Sequence, residues 1–321
     1  NYTPNISYTD AYIIKLNDSG ELLWSKIITG QKSQILQNIL FSSDGNIIAQ
    51  GYTDDVAIFS NGNQVGNEDT STQNTFLAKF DSSSGDTLWE VSVDDSQADV
   101  FASYFNNHVV KSNGEMLFFP GYTYQNGEEN GKIKKLNSSN GEITNAAWNG
   151  YISYDNLRVV EIDNSDNIYI SSQVENIGGS SNLVKYDSNL NLLWSISVTD
   201  NGTGNQNAYV FDIEYDSLNN LLYVFGQARS AELNPLGTSV IATNNANSGA
   251  YFAAYNTEGI LQFSHGFETD ISSNFYNHDY RTLEIFDNKL VLRGYFSGYI
   301  DFDVTDGIFY TPLSGVNNGD F

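Results

Sequence analysis

Short apolar runs separated by polar turns are the dominant pattern along the chain. A typical segment is "AYIIKLNDSGELLWSKII" (11–28), in which two runs of mainly β-branched, leucine and aromatic residues flank an Asn-Asp-Ser-Gly turn. Runs of this length around such a turn are typical of β-hairpins. No window of a dozen residues sustains the 3.6-residue period of an amphipathic helix. The pattern therefore predicts an all-β protein built from antiparallel hairpins.

The hairpin phrase recurs, and a second hairpin phrase such as "ILFSSDGNIIAQGYT" (39–53) follows it in every unit. Equivalent positions in successive copies of the first phrase are Lys15, Lys79, Lys135, Lys185 and Ala254. Two hairpins per unit make four strands, and four-stranded units with a period of roughly 60 residues predict a β-propeller of four-stranded antiparallel blades. We place the five visible repeats at about 10–73, 74–130, 131–180, 181–249 and 250–319, within a single propeller domain spanning 1–321.

The end of the chain returns to the phase at which the first repeat begins. Phe321 falls where the strand starting at Tyr12 would begin again, so 12–320 hold five whole units. Either five blades close on themselves or the chain is part of a larger propeller, since rings of about four to eight blades are all physically possible. We favour the larger propeller because natural domain ends rarely fall at the first residue of a strand.

Charge and composition exclude several classes of partner. The chain carries 39 acidic and 14 basic residues, a formal net charge of −25, and no cysteine. Such a surface repels nucleic-acid phosphates and anionic lipids, so we expect no nucleic-acid partner. No stretch approaches the roughly 20 apolar residues of a membrane span, so direct membrane insertion is not expected either. The absence of cysteine excludes disulfides and thiolate metal sites.

One aromatic position recurs between the repeats. Trp24, Trp89 and Trp194 occupy the same place, and Phe263 takes it in the fifth unit. An equivalent aromatic in successive units is expected to fill the space between neighbouring blades, and a sugar-stacking platform is the alternative. The third unit displaces its tryptophan to Trp148, which we therefore assign to a candidate binding surface.

Loops whose lengths differ between repeats are where ligand binding is expected. The longest insertions are 54–74, 94–107, 199–207, 229–249 and 268–279. Several loops carry aromatic residues beside amides or carboxylates, which suits carbohydrate or peptide recognition as well as ordinary loop packing. The candidate ligand-binding residues are Tyr104, Trp148, Tyr154, Phe275, Tyr276 and His278.

Metal and catalytic signals are sparse. Calcium is the metal to which an acidic chain is suited, and "DFDVTDG" (301–307) brings together Asp301, Asp303 and Asp306 without the terminal Glu of a twelve-residue calcium loop. No other cofactor is expected. The chain lacks a nucleophile elbow, a zinc-protease helix motif and a phosphate-binding glycine loop. His278 lies beside Asp279, and the two could form a charge relay. The alternative is a loop histidine whose hydrogen bonds are made with neighbouring residues.

The pairing of "DAYIIKLNDSGELLWSKIITG" (10–30) with "DGNIIAQGYT" (44–53) resembles the SBBP-type bacterial β-propeller repeat, which is related to quinoprotein-like propellers. The resemblance covers almost the whole chain. It implies a secreted or cell-surface protein of the Bacteroidota type, exported by type IX secretion and located outside the cell or on its outer surface.

We expect a non-catalytic module for adhesion, carbohydrate binding or protein docking. Its partners would be a glycan or a protein at the cell surface, or a larger secreted assembly. The alternative from another class is a polysaccharide-active hydrolase or lyase with its site on one propeller face, which would need carboxylates, histidine or tyrosine converging there.

Overall fold

The structure is a computed structural model in which the chain divides into two compact units, Asn1–Gly150 (unit 1) and Tyr151–Phe321 (unit 2). It describes residues 8–67, 73–93, 99–100, 108–119, 123–125, 128–129, 133–145, 157–174, 180–200, 209–228, 230–233, 240–242, 249–267, 274–276, 283–287, 289–292 and 295–297. Regular structure in these ranges is entirely β, without a helix. Accordingly, none of these ranges holds a helix of the length and apolarity that a membrane crossing needs.

The strands are short, as the frequent turn residues predict. Those of unit 1 are β1 (Ala11–Leu16), β2 (Leu22–Ile28), β3 (Gln34–Phe41), β4 (Ile47–Thr53), β5 (Val56–Ile58), β6 (Gln64–Gly66), β7 (Asn74–Phe80), β8 (Thr87–Ser92), β9 (Asp99–Val100), β10 (His108–Val110), β11 (Glu115–Phe118), β12 (Thr123–Gln125), β13 (Glu128–Glu129), β14 (Lys134–Asn137) and β15 (Ile143–Asn145). Those of unit 2 are β16 (Leu157–Ile162), β17 (Ile168–Val174), β18 (Ser180–Tyr186), β19 (Leu192–Asp200), β20 (Tyr209–Asp216), β21 (Leu221–Ala228), β22 (Ser230–Glu232), β23 (Val240–Ala242), β24 (Gly249–Asn256), β25 (Leu261–Gly266), β26 (Asn274–Tyr276), β27 (Leu283–Phe286), β28 (Lys289–Leu292) and β29 (Tyr295–Ser297).

Each unit contains two four-stranded antiparallel sheets in which consecutive hairpins lie side by side. In unit 1 these are blade 1 (β3-β4-β7-β8) and blade 2 (β10-β11-β14-β15). In unit 2 they are blade 3 (β16-β17-β18-β19) and blade 4 (β20-β21-β24-β25), and the hairpin β22–β23 extends blade 3 through β19. The hairpins β1–β2 and β27–β28 form separate two-stranded sheets. These sheets are β-propeller blades, which confirms the predicted fold class.

Every blade in unit 1 and unit 2 combines the second phrase of one repeat with the first phrase of the next. In blade 1, for example, β3 and β4 come from the first repeat, and β7 and β8 come from the second. Hairpins are inserted between the second and third strands of blades 1, 2 and 4. In each of these blades the insertion therefore lies at the end where the second strand finishes and the third begins. Loops there can vary in length without disturbing the sheet.

The hydrophobic core of each unit lies between its neighbouring blades. In unit 1, Ile48 and Leu77 of blade 1 pack with Met116 and Phe118 of blade 2, and all four are completely or almost completely buried. In unit 2, strands of blades 3 and 4 contribute to one cluster in the same way. Because both faces of an inner sheet are covered, strands such as β4 and β7 are buried at every position. The polar residues within these strands, such as Gln50 in β4 and Lys79 in β7, are therefore buried as well.

The recurring tryptophans join successive sheets within the units through a shared acceptor. Trp24, Trp89 and Trp194 donate from Nε1 to the backbone carbonyl oxygens of Ser82, Ser138 and Thr257 at 3.2, 3.0 and 3.0 Å. The same carbonyls accept hydrogen bonds from Lys15, Lys79 and Lys185 Nζ at 2.7, 2.8 and 2.9 Å. Each lysine lies opposite its tryptophan across an antiparallel strand pair. We call each such arrangement a Lys–Trp clamp, and it confirms that these tryptophans fill the space between blades.

A glycine in the receiving turn makes room for each tryptophan ring. A Cβ at Gly85 would lie 2.7 Å from Trp24 Cδ2, and a Cβ at Gly141 would lie 2.9 Å from Trp89 Cδ2. Both glycines have φ values above +70°, a conformation that residues with a side chain rarely adopt. The turn therefore needs glycine for both its backbone conformation and the close approach of the indole.

Two blades lack the full Lys–Trp clamp. In blade 2, Thr144 takes the tryptophan position opposite Lys135, and in blade 4 Phe263 lies opposite Ala254. Phe263 is 48% exposed, whereas Trp24, Trp89 and the other clamp partners of unit 1 are mostly covered. In blade 4 the residue at the tryptophan position is therefore half exposed to solvent.

Acid should weaken the Lys–Trp clamp of blade 1 through Asp44. Its carboxylate accepts hydrogen bonds from the Lys79 ammonium and the Ser42 hydroxyl, which hold the Asp44 pKa well below its usual range. A depressed pKa stabilises the fold fully above the unfolded-state pKa of about 3.9, and this contribution is lost as the pH falls through the folded-state value. We expect Asp44→Asn to lower the free energy of unfolding at pH 7 by less than about 1 kcal/mol, because Asp44 is half exposed.

The measurement is urea unfolding of both proteins between pH 7 and pH 2. The difference between wild type and Asp44→Asn should narrow below about pH 4, where Asp44 becomes protonated in the unfolded chain. A difference that stays constant down to pH 2 would contradict the role of the charge.

Candidate functional site

The inserted hairpin β5–β6 is anchored to blade 1 by one of its faces. Ala57, Phe59 and Val65 are buried, and the ring of Phe59 lies 5.5 Å from that of Phe76 and 6.4 Å from that of Phe80. Because successive strand side chains point to opposite faces, the intervening residues of β5 and β6 are turned away from this core. The packed face therefore fixes the position of the hairpin on blade 1, and the opposite face is turned away from the blade core.

Backbone hydrogen bonds join this hairpin to the segment between β2 and β3. The Thr29 N–H donates to the Ile58 carbonyl oxygen at 3.1 Å, and the Ile58 N–H donates back to the Thr29 carbonyl at 2.7 Å. The pair forms an isolated antiparallel bridge. The β5–β6 hairpin and the β2–β3 connection are thus held side by side and form one continuous surface.

The Asp55 carboxylate reinforces this junction. It is buried, and its Oδ1 accepts from Gln34 Nε2 at 3.1 Å and from the Thr53 hydroxyl at 3.2 Å. Its Oδ2 accepts from the backbone N–H of Gln31 at 3.1 Å. A buried carboxylate with this many hydrogen-bond donors is held in one position. Asp55 therefore positions the Gln31 backbone and the Gln34 amide.

Gly30 makes this close packing possible. A Cβ at that position would lie 2.1 Å from Gln34 Nε2 and 2.4 Å from the Val56 carbonyl oxygen. Neither neighbour can be displaced without disturbing the Asp55 hydrogen bonds, because Gln34 is one of its donors and Val56 follows it directly. The junction between the two segments therefore depends on a glycine.

A cavity of about 470 Å³ opens at this junction. It is lined by Tyr8, Gln31, Lys32, Asp55, Val56, Ile58 and Gln64. Its volume falls within the range of about 300–1,000 Å³ that is typical of ligand pockets, and its lining mixes a phenol, amides and an ammonium with aliphatic side chains. This combination can hydrogen-bond the hydroxyls of a polar ligand while packing against its apolar faces.

A second cavity of about 300 Å³ lies at the turns of blade 2 and has an acidic lining. Asn113, Glu115, Asn137 and Glu142 contribute to it. Glu115 is engaged by Lys111, whose Nζ lies 2.5 Å from Oε1. Short hairpin turns of nearly constant length build this cavity, whereas the larger one is built by an insertion of variable length. We therefore place the candidate site at the larger cavity.

Most residues that were predicted from the sequence to bind a ligand or a metal lie outside the described ranges. This applies to Tyr104, Trp148, Tyr154 and His278, and to the calcium candidates Asp301, Asp303 and Asp306. The backbone of Phe275 and Tyr276 is described, in β26, which pairs with β29. These assignments remain predictions. Among the residues that are described, no three His, Cys, Asp or Glu side chains are grouped so that they could hold a metal ion.

The candidate cavity lies at the first of the predicted insertions, 54–74, but its lining was not predicted. Gln31, Lys32 and Gln64 are ordinary polar residues, and nothing in their immediate sequence marks them as functional. The available signal was the insertion itself, together with the connection that precedes the first strand of the same blade. Aromatic residues beside amides, the feature from which binding residues were predicted, lie in other loops.

Comparison with known proteins gives a likeness of fold only. No protein-family model and no curated protein matches the chain. Among solved structures, the chain is similar to a europium-containing methanol dehydrogenase at TM-score 0.43 and 12% identity, over 88% of this chain and 54% of that one. A puromycin hydrolase matches at TM-score 0.34 and 10% identity, over 67% of this chain and 28% of that one.

A virginiamycin B lyase from Staphylococcus aureus matches at TM-score 0.36 and 9% identity, over 84% of this chain and 92% of that one. The chain thus spans about half of the methanol dehydrogenase and about a quarter of the puromycin hydrolase. At these scores and identities the similarities carry no inference about activity. The class of protein therefore follows from the blades themselves: a β-propeller.

Proposed function

We propose that this β-propeller is a non-catalytic binding module for adhesion, carbohydrate recognition or protein docking, and that the 470 Å³ cavity is its ligand site. One observation carries the proposal: an insertion of blade 1 and the β2–β3 connection form a polar cavity on a rigid support. Binding residues are commonly placed on loops that a stable scaffold positions in this way. The amide and phenol groups of the lining are suited to the hydroxyls of a saccharide or the backbone of a peptide.

The cellular setting is proposed from the sequence. The SBBP-like repeat phrases and the net charge of −25 support a secreted or outer-surface protein of the Bacteroidota type, carried by type IX secretion. Its partner would then be a glycan or protein at a cell surface, or a larger secreted assembly. Calcium at Asp301, Asp303 and Asp306 belongs to the same proposal.

The proposal is tested by screening the protein against an array of neutral and acidic oligosaccharides and titrating the strongest binder by calorimetry. Gln64→Ala removes one exposed amide from the cavity lining. Loss of one hydrogen bond of about 1 kcal/mol should raise Kd about five-fold. The matched control is Gln262→Ala, which removes an exposed strand glutamine of blade 4 and should leave Kd unchanged.

Equal Kd values for Gln64→Ala and Gln262→Ala would show that this cavity is not the binding site. Failure to bind any saccharide, together with failure to capture peptides, would overturn the binding-module proposal. Chain cleavage of a bound polysaccharide during the titration would favour a hydrolase or lyase instead.

A further inference from the structure

Most lysines in the described ranges have a carboxylate partner, whereas Lys32 does not. Ion pairs join Lys26 to Asp86, Lys79 to Asp44, Lys111 to Glu115, Lys185 to Asp163 and Lys289 to Asp287, at 2.5–3.7 Å. Lys32 is partly buried and lines the 470 Å³ cavity, and in the described part of the chain no carboxylate lies within 4 Å of its ammonium. Among the described residues, its ammonium is therefore not matched by a carboxylate, although the chain holds 39 acidic residues.

The carboxylate that lines the same cavity, Asp55, already has hydrogen-bond donors. Both of its oxygens accept hydrogen bonds, from Gln34, Thr53 and the Gln31 backbone. These donors hold the carboxylate in the wall and offset its charge locally. Of the two charged side chains in the lining, the Lys32 ammonium is therefore the one that can form an ion pair with a ligand.

The remaining lining suits a saccharide. Gln64 offers an amide and Tyr8 offers a phenol, and both groups can hydrogen-bond hydroxyls. Val56 and Ile58 offer aliphatic surface for the C–H faces of a sugar ring. A neutral sugar would satisfy these groups but would leave the ammonium of Lys32 without a partner.

The overall charge of the protein does not prevent an anion from binding here. At physiological ionic strength the Debye length is about 8 Å, so charges elsewhere on the surface are largely screened. A contact between an ammonium and a carboxylate or sulfate is charge-assisted and stronger than a neutral hydrogen bond. Selection is thus decided at the cavity, by the group that touches the ligand.

Building on the proposed function, we propose that the cavity selects an acidic oligosaccharide, with Lys32 pairing to an anionic substituent of the sugar. The Gln64 amide and the Tyr8 phenol bind its hydroxyls. Carboxylate and sulfate groups share the chemistry that Lys32 recognises. A charge-assisted hydrogen bond predicts about ten- to hundred-fold tighter binding of the acidic sugar than of its neutral counterpart.

The test compares three probes of equal length by calorimetry: a galacturonic acid trimer, the corresponding neutral galactose trimer and a sulfated galactose trimer. Wild type should bind at least one acidic probe about ten-fold or more tightly than the neutral one. Lys32→Gln should lose that preference while still binding the neutral trimer, and Lys32→Arg should retain it. Lys26→Gln, which removes the lysine of the exposed Lys26–Asp86 pair, is the matched control and should behave as wild type.

The outcomes separate this inference from the function on which it depends. If wild type binds the neutral and acidic trimers equally, or if Lys32→Gln keeps the preference, the inference is overturned while saccharide binding stands. If none of the three trimers binds, the inference is overturned, and the oligosaccharide array decides on the binding module separately. The two acidic probes distinguish a carboxylate from a sulfate ligand.

Discussion

Replacing Trp89 by alanine is expected to lower the free energy of unfolding of unit 1 by about 3–5 kcal/mol. Trp89 is 7% exposed, packs over Gly141 and donates from Nε1 to the Ser138 carbonyl at 3.0 Å. Truncation removes a large apolar surface between blades 1 and 2 and leaves a cavity that the rigid strands cannot close. It also removes one of the two donors to a carbonyl that then depends on Lys79 alone.

Hydrogen exchange read by mass spectrometry can locate this effect. Peptides covering β7, β8 and β14 should lose protection in Trp89→Ala, whereas peptides from unit 2 should not change. Urea unfolding followed by far-UV circular dichroism gives the overall magnitude. If the two units unfold in separate transitions, the exchange data decide which of the two has shifted.

The matched control is Leu88→Ala, which removes the neighbouring side chain on the same strand. Leu88 is 49% exposed, and its loss should change stability by no more than about 0.5 kcal/mol. Equal effects of Trp89→Ala and Leu88→Ala would mean that the Lys–Trp clamp does not hold the two blades together.

The sequence was sufficient to predict the blades because their signal is local. Each hairpin is a pair of apolar runs around an Asn-, Asp-, Ser- or Gly-containing turn, and these features specify strand pairing without reference to distant residues. The register of β1 with β2 and of β7 with β8 follows this pattern. The grouping of hairpins across repeat boundaries was not evident, because a repeat read along the chain has no marked beginning.

The role of the tryptophans was predicted, but their partners were not. The sequence shows a lysine nine or ten residues before Trp24, Trp89 and Trp194, and a glycine in the turn of the sheet that receives each ring. Where the third repeat has Thr144 instead, the next such turn carries Leu190, at φ +68°. Tryptophan and glycine thus occur together in successive units, which is a signal of close packing that periodicity alone does not reveal.

The candidate site could be located from the sequence only as an insertion. Its walls come from the β2–β3 connection and from 54–74, and they meet because Asp55 and the Thr29–Ile58 bridge hold them together. Such contacts depend on tertiary packing, and residues like Gln31 and Gln64 carry no local signature of it. A residue type that is common in loops gains its role from the neighbours that the fold supplies.

The second large effect is expected at Lys79, where alanine should lower the free energy of unfolding of unit 1 by about 3 kcal/mol. Lys79 is 2% exposed, and its Nζ lies 2.7 Å from Asp44 Oδ2 and 2.8 Å from the Ser138 carbonyl oxygen. The substitution removes a long buried aliphatic stem as well as the charge. Lys79→Met restores most of the volume, so it should recover about half of the loss and thereby separate packing from the ion pair.

Lys26→Ala gives the exposed counterpart of this measurement. The Lys26–Asp86 pair has the same length of 2.7 Å, but the two side chains are 22% and 70% exposed, and solvent screens such pairs so that they contribute little to stability. If Lys79→Ala costs no more than Lys26→Ala in the same urea titration, burial does not strengthen the pair. If Lys79→Met equals wild type, the stem alone stabilises the contact between blades 1 and 2, and the ammonium contributes nothing to it.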